Sequence, residues 1–147
     1  MQYTARNIAD WFIQRAIQDV NSNGGEYITH LKLQKLLYFA QGCYSAMEGH
    51  ALFNEKIYAW THGPVVKSLY PEFKSYADHG ITRYRKVTID KHTEAILEEV
   101  YRVFGQYSAW ALREITHEQG PWKETLLNEE IPLELITDYF RENIITD

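Results

Sequence analysis

Thr29-His30-Leu31-Lys32-Leu33-Gln34-Lys35-Leu36-Leu37-Tyr38-Phe39-Ala40-Gln41 is the stretch that decides the fold. Leu33, Leu36, Leu37, Ala40, Tyr44 and Met47 recur at three- and four-residue spacing, which puts them on one face of a helix directed at a core. Thr29 stands where a hydroxyl caps a first turn, and Gly49 where a helix stops. Lys32, Gln34 and Lys35 interrupt the leucine stripe, so part of this row is expected to reach solvent. Tyr38 follows Gln34 by four residues and Lys35 by three, which brings its phenol beside them. Lys32, Gln34, Lys35 and Tyr38 then read either as an anchor for a protein partner or as an ordinary soluble helix face.

Upstream, Thr4 caps a helix from Ala5 to Val20, whose apolar face is Ala9, Phe12, Ile13, Ala16, Ile17 and Val20. Asn21-Ser22-Asn23-Gly24-Gly25 reads as the loop between the two helices. Downstream, Lys56–Trp60 reads as a short extended segment. Gly63-Pro64 is expected to open a new helix, with Pro64 at its first position and Val65, Leu69, Phe73 and Tyr76 continuing it. Pro71 should split that helix near Tyr70, and Asp78-His79-Gly80 should end it. Ile81–Ile89 is β-prone and is expected to pair as a short strand with Lys56–Trp60. Asp90 caps a helix with Ile96, Leu97, Val100, Val103 and Phe104 inward. Another follows Ser108, with Trp110, Ala111 and Ile115 as its apolar residues. Pro121 and Pro132 sit where helices start, and Leu133–Ile144 turns Ile136, Tyr139, Phe140 and Ile144 inward. The expectation is a mainly α fold: one domain over residues 1–147, a bundle of about six helices with a minor β element.

The bulk properties agree with a globular chain. Its 147 residues suit one core, and 45% hydrophobic with 24% charged residues excludes disorder as the main state. No run of about 18 apolar residues would span a membrane. The first residues, Met1-Gln2-Tyr3-Thr4-Ala5-Arg6, lack a signal-peptide pattern, so a cytoplasmic protein is expected. Cys43, the single cysteine, has no internal disulfide partner. The formal charge of −5 argues against nucleic acid as a partner. Arg83-Tyr84-Arg85-Lys86 is the nearest approach to a basic patch and reads as a solvated edge or turn. Eleven tyrosines and four tryptophans suit both a core and a docking surface.

Catalytic and metal signatures fail one after another. His30, His50, His62, His79, His92 and His117 are scattered, and no pair has the i, i+4 spacing that sets two imidazoles on one helical face. Ser45, Ser68, Ser75 and Ser108 lack a G-x-S-x-G context, and Cys43 reads as a buried, inert thiol. Gly24-Gly25 lacks the lysine and the preceding strand of a phosphate loop. Glu98-Glu99 and Glu129-Glu130 are adjacent pairs whose side chains diverge on a helix. No enzyme, metal or cofactor is expected. What remains is Ala59-Trp60-Thr61-His62-Gly63-Pro64-Val65. Trp60 and His62, beside the Gly63-Pro64 turn, read either as a docking point or as core filling with a turn that sets the chain angle.

Two stretches together are familiar. Leu31–Gln41, followed by Trp60-Thr61-His62-Gly63-Pro64-Val65-Val66, resembles the Panacea antitoxin domain, a SocA-like family long catalogued as phage-associated. Gly49, Leu52-Phe53 and Glu55 between them, and Leu69-Tyr70, Phe73–Tyr76 and Leu112–Trp122 beyond, are similar too. The resemblance implies a bacterial or prophage protein that neutralises a cognate toxin, encoded by an adjacent gene, through direct binding. It also implies an alternative, because one member of the family hands its toxin to a protease as a degradation adaptor. Delivery to a cytosolic AAA+ protease is that second reading, and a DNA-binding regulator a third. Some relatives carry a DNA-binding segment for which this chain leaves no room. On this reading Lys32, Gln34, Lys35, Tyr38, Trp60, His62, Gly63 and Pro64 are the expected partner-binding residues.

Overall fold

Thr4 starts the first helix with a reciprocal cap: its hydroxyl accepts from the Asn7 N–H at 3.1 Å, and the Asn7 side chain accepts from the Thr4 N–H at 3.0 Å. That helix, α1 (Ala5–Asn23), runs one turn past the Val20 expected of it and ends at Gly24. Ile8, Ala9, Phe12, Ile13 and Ala16 form its buried side. The computed structural model describes residues 2–145.

The second helix, α2 (His30–Glu48), is capped by Thr29 and stopped by Gly49 as the sequence predicts. Its environment is not what the sequence predicts. Every residue from Leu33 to Ala46 is buried, because α1 and the later helices and strands surround it. Gln34, Lys35 and Tyr38 are 2%, 1% and 0% exposed, so the solvent-facing row does not exist. Only Lys32 reaches partway out, and its ammonium donates to the Gly105 carbonyl at 2.6 Å. The buried polar residues instead stitch the helix to less regular chain. Gln41 donates to the Phe53 carbonyl at 2.7 Å and accepts from the Leu52 N–H at 2.8 Å. The Tyr38 hydroxyl donates to Gln119 Oε1 at 2.7 Å. Met47, assigned to the core by its spacing, is 50% exposed, although Ser45 and Ala46 beside it are covered by residues of the last helix and buried.

The chain then forms a hairpin. β1 (Ile57–Trp60) pairs antiparallel with β2 (Gly63–Val66) across the two-residue loop Thr61-His62, in the register Ile57↔Val66 and Trp60↔Gly63. Gly63-Pro64 therefore opens a strand and not a helix. Val65 and Val66 favour the extended state, and Pro64 is tolerated because β2 lies at the edge of the sheet, in the order β2-β1-β3. α2 covers that edge. Gln34 Oε1 accepts from the Val66 N–H at 2.7 Å, and Lys35 donates to the Pro64 carbonyl at 3.2 Å, so side chains replace a missing strand.

A short helical run follows, with α3 (Tyr70–Phe73) flanked by 3-10 turns and Pro71 in its first turn. Ile81–Ile89 forms no strand. Both edges of β1 are occupied, by β2 and by β3 (Glu130–Ile131), so no ladder is left to join. The segment is pinned by side chains and single backbone bonds: Ile81 N–H donates to the Ile28 carbonyl at 2.8 Å, and Arg85 N–H donates to Asp10 at 3.1 Å. The remaining helices are α4 (Lys91–Phe104), α5 (Ala109–His117), α6 (Gly120–Lys123) and α7 (Leu133–Asn143). Asp90 caps α4 as expected, and α5 follows Ser108, whose hydroxyl caps it. Trp110 is the exception on α5: it is 60% exposed, and Leu112 and Thr116 take the buried positions. The architecture is mainly α with a small antiparallel sheet of three strands. Among the described residues no helix is long and apolar enough to cross a membrane.

Candidate functional site

The first turns of α2, the Thr61-His62 loop, the Tyr70–Ala77 segment and Asn128 enclose an open cavity of about 730 Å³. Five residues singled out in the sequence meet there: Gln34, Lys35, Trp60, His62 and Gly63. Pro64 lies directly behind, its carbonyl accepting from Lys35. Tyr38 lies deeper, bonded to Gln119, and Lys32 borders a different depression with Glu26 and Tyr101, so neither contributes.

Each side chain is held. The Trp60 ring meets Tyr70 edge-on at 5.0 Å, and Tyr70 meets His30 at 4.9 Å, making an aromatic wall. Gly63 has φ of 109°, and a Cβ there would lie 2.7 Å from Lys35 Cε and 2.9 Å from Thr116 Oγ1. Both the backbone angle and the close approach require glycine. At the mouth, Arg113 Nε donates to His62 Nδ1 at 3.1 Å, which leaves the His62 proton on Nε2. The same guanidinium lies 4.5 Å from the centre of the exposed Trp110 ring, a cation–π contact. The loop that brings Asn128 to the cavity is tied to β1 by Asn128 N–H to the Ala59 carbonyl at 2.6 Å, and it exposes Leu126 and Leu127 at 78% and 54%.

Burial governs the electrostatics. It pushes the Lys35 ammonium down to about 7, with the Arg113 charge adding to the effect. His30 falls to about 4 for the same first reason, with Lys35 as the second. His117, stacked on Trp122 at 3.9 Å, is also lowered by burial and then by Arg113. Cys43, far from the cavity, is an inert thiol as expected, pushed up to about 12 by burial. Among the described residues no cluster of three or more His, Cys, Asp or Glu side chains would hold a metal. The arrangement offers recognition: a buried cation, an aromatic wall and an exposed, braced tryptophan at the rim.

His30, Tyr70, Lys74, Asn128, Trp110 and Arg113 escaped the sequence reading. His30 stands one helical turn before Gln34, at i, i+4, and that spacing was the one available signal for it. Nothing in the sequence links Arg113 to His62, because the contact crosses from α5 to the hairpin loop.

The family model for the antitoxin SocA-like Panacea domain matches residues 33–123. The chain belongs to that family. The matched stretch holds α2 from Leu33 onward, the hairpin and α5, so most of the Panacea cavity lies inside it. Antitoxin SocA of Caulobacter vibrioides (strain NA1000 / CB15N) is 33% identical across 65% of this chain. This Panacea chain spans 58% of that relative's length. No solved structure matches it.

Proposed function

We propose that this Panacea domain is an antitoxin that neutralises a protein toxin, encoded beside it, by direct binding through the face around the α2–hairpin cavity. The observation that carries the reading is the row Trp110, Arg113 and His62 at the cavity mouth. Trp110 is 60% exposed yet fixed over Arg113, which is itself held by His62. Tryptophan and arginine are enriched at interface hot spots, and a side chain already ordered loses less freedom on binding. Leu126 and Leu127, exposed and just before Asn128 of the cavity wall, add apolar surface in the same loop. Family membership and the antitoxin relative supply the class of partner.

The test is co-expression with the neighbouring gene in hosts with and without the cytosolic AAA+ proteases, alongside co-purification of the two proteins. Direct neutralisation predicts a stable complex and restored growth in both hosts. Restored growth only where the proteases are present would replace it with delivery for degradation.

A further inference from the structure

The cavity has no anionic side chain although the protein is acidic. Its lining includes Lys35 and Lys74 and no Asp or Glu, in a chain of formal charge −5, and burial keeps the His30 imidazole neutral at pH 7. Lys35 is 1% exposed and makes one hydrogen bond, to the Pro64 carbonyl at 3.2 Å. An ammonium has three protons to donate, so two remain. None of the ion pairs among the described residues involves Lys35. The Arg113 guanidinium of α5 acts on it, the His117 and His30 imidazoles feel its charge, and His62 and Lys74 share its cavity; the carboxylate of Glu114 on α5 is paired with Arg113 at 2.8 Å. None of them forms an ion pair with Lys35. A buried charge without a counter-ion is costly, and a ligand that supplies one is favoured.

The geometry points to a binding site for a carboxylate, seated against the Lys35 ammonium with its organic body on the Trp60 and Tyr70 rings. The space of about 730 Å³ falls in the range of small-molecule sites. Phosphate is served best by guanidinium forks or nests of backbone N–H groups, whereas the one buried cation here, Lys35, is a point charge beside Leu31, Val65 and two aromatic rings, and Lys74 is exposed to water. That surrounding suits a singly charged group with an apolar body. The carboxylate comes either from a free organic acid or from an acidic side chain of a docked protein. The inference goes beyond toxin binding and holds for the isolated chain. Because burial holds Lys35 near 7, the incoming anion stabilises its protonated form, and binding takes up a proton above that pH.

Calorimetric titration of the full chain with benzoate and hexanoate, with their amides, and with inorganic phosphate tests this. At least one carboxylate should bind at pH 6.5 more than about tenfold tighter than its amide, and its affinity should fall about tenfold per pH unit above 7. Lys35→Met should abolish that binding while keeping a cooperative melt. Equal binding of acid and amide, tighter binding of phosphate, or no carboxylate binding at all would overturn the site, and the parent chain alone decides this. With the toxin in hand, competition by the carboxylate assigns the site to an acidic side chain of the toxin, and independent binding assigns it to a free acid. Carboxylate binding without toxin rescue would sink the antitoxin reading and leave the site standing; rescue without carboxylate binding would do the reverse.

Discussion

Lys35 illustrates how one residue sets a pH dependence. Its folded value of about 7 lies below the ordinary 10.5, so between these limits the unfolded chain holds the extra proton. Stability therefore rises with pH from about 7 upward, by at most about 1.4 kcal/mol per pH unit. Cys43 acts in the opposite sense: its thiol, raised from 9.0 to about 12, ionises first in the unfolded chain, so stability falls above pH 9. Melting temperature should climb between pH 7 and 9, and Lys35→Met should flatten the climb. A flat parental profile in that window would mean that the ammonium is solvated. On the acid side, His30 is lowered from 6.5 to about 4, and its contribution is lost as pH falls through that interval. His117 adds in the same direction, while Asp90, held near 2 first by its bond from Tyr3, acts only at lower pH. His30→Gln should shallow the loss between pH 6.5 and 4.5. Tyr38 concerns hydrogen bonding alone: Tyr38→Phe strands the buried Gln119 amide oxygen and should cost about 1–3 kcal/mol in denaturant melts.

At the scale of elements, α2 is a helix buried on all sides, and its neighbours approach closely. A Cβ on Gly42 would lie 2.5 Å from the Phe140 ring of α7. Gly42→Ala should lower stability by about 1–3 kcal/mol, the usual cost of overpacking, and pairing it with Phe140→Leu should recover part of the loss. Leu36→Ala and Leu37→Ala should each cost about 2–5 kcal/mol, since both leucines are fully buried. Urea melts of the variants check both statements. The starts of α1, α2 and α4 and the stop of α2 were legible because Thr4, Thr29, Asp90 and Gly49 act locally, through one side chain or one backbone angle, whereas α1 runs past the expected Val20 to Gly24. The burial of Gln34, Lys35 and Tyr38 was not legible. Their partners, Val66, Pro64 and Gln119, stand 29 to 81 residues away. A polar residue that satisfies a distant backbone group has the same local pattern as one facing water. Gly63-Pro64 failed for a related reason: the helix-opening signal was genuine, but β1 pairing and the cover of Gln34 and Lys35 favoured an edge strand. Gln34, Lys35, Trp60, His62 and Gly63, named from the sequence as partner-binding residues, meet in one cavity wall where a solvent-facing row was expected.

Across the whole molecule, the two ends of α2 present different surfaces, and toxin binding should separate them. The cavity end carries Trp110, 60% exposed and braced by Arg113, with Leu126 and Leu127 nearby in sequence to Asn128 on the cavity wall. The other end carries Met47, 50% exposed, beside an apolar groove formed with Ile96, Val100 and Ile145. Both surfaces offer apolar area, but only the first combines a fixed ring, a guanidinium and a cavity, the composition in which binding energy concentrates. Trp110→Ala removes an exposed ring, so the thermal melt should move little, by less than about 0.5 kcal/mol at an exposed position away from the core. Toxin affinity should drop by about 30-fold or more, the hot-spot scale of about 2 kcal/mol. Trp60→Ala should lose both stability and affinity, because its half-buried ring also supports Tyr70 and the cavity wall. Met47→Ala should retain parental affinity. Pull-downs and titrations with the toxin, run beside a melt of each variant, make the comparison. If Met47→Ala weakens the complex while Trp110→Ala does not, the toxin grips the opposite end of α2, and the cavity serves its carboxylate ligand without taking part in neutralisation.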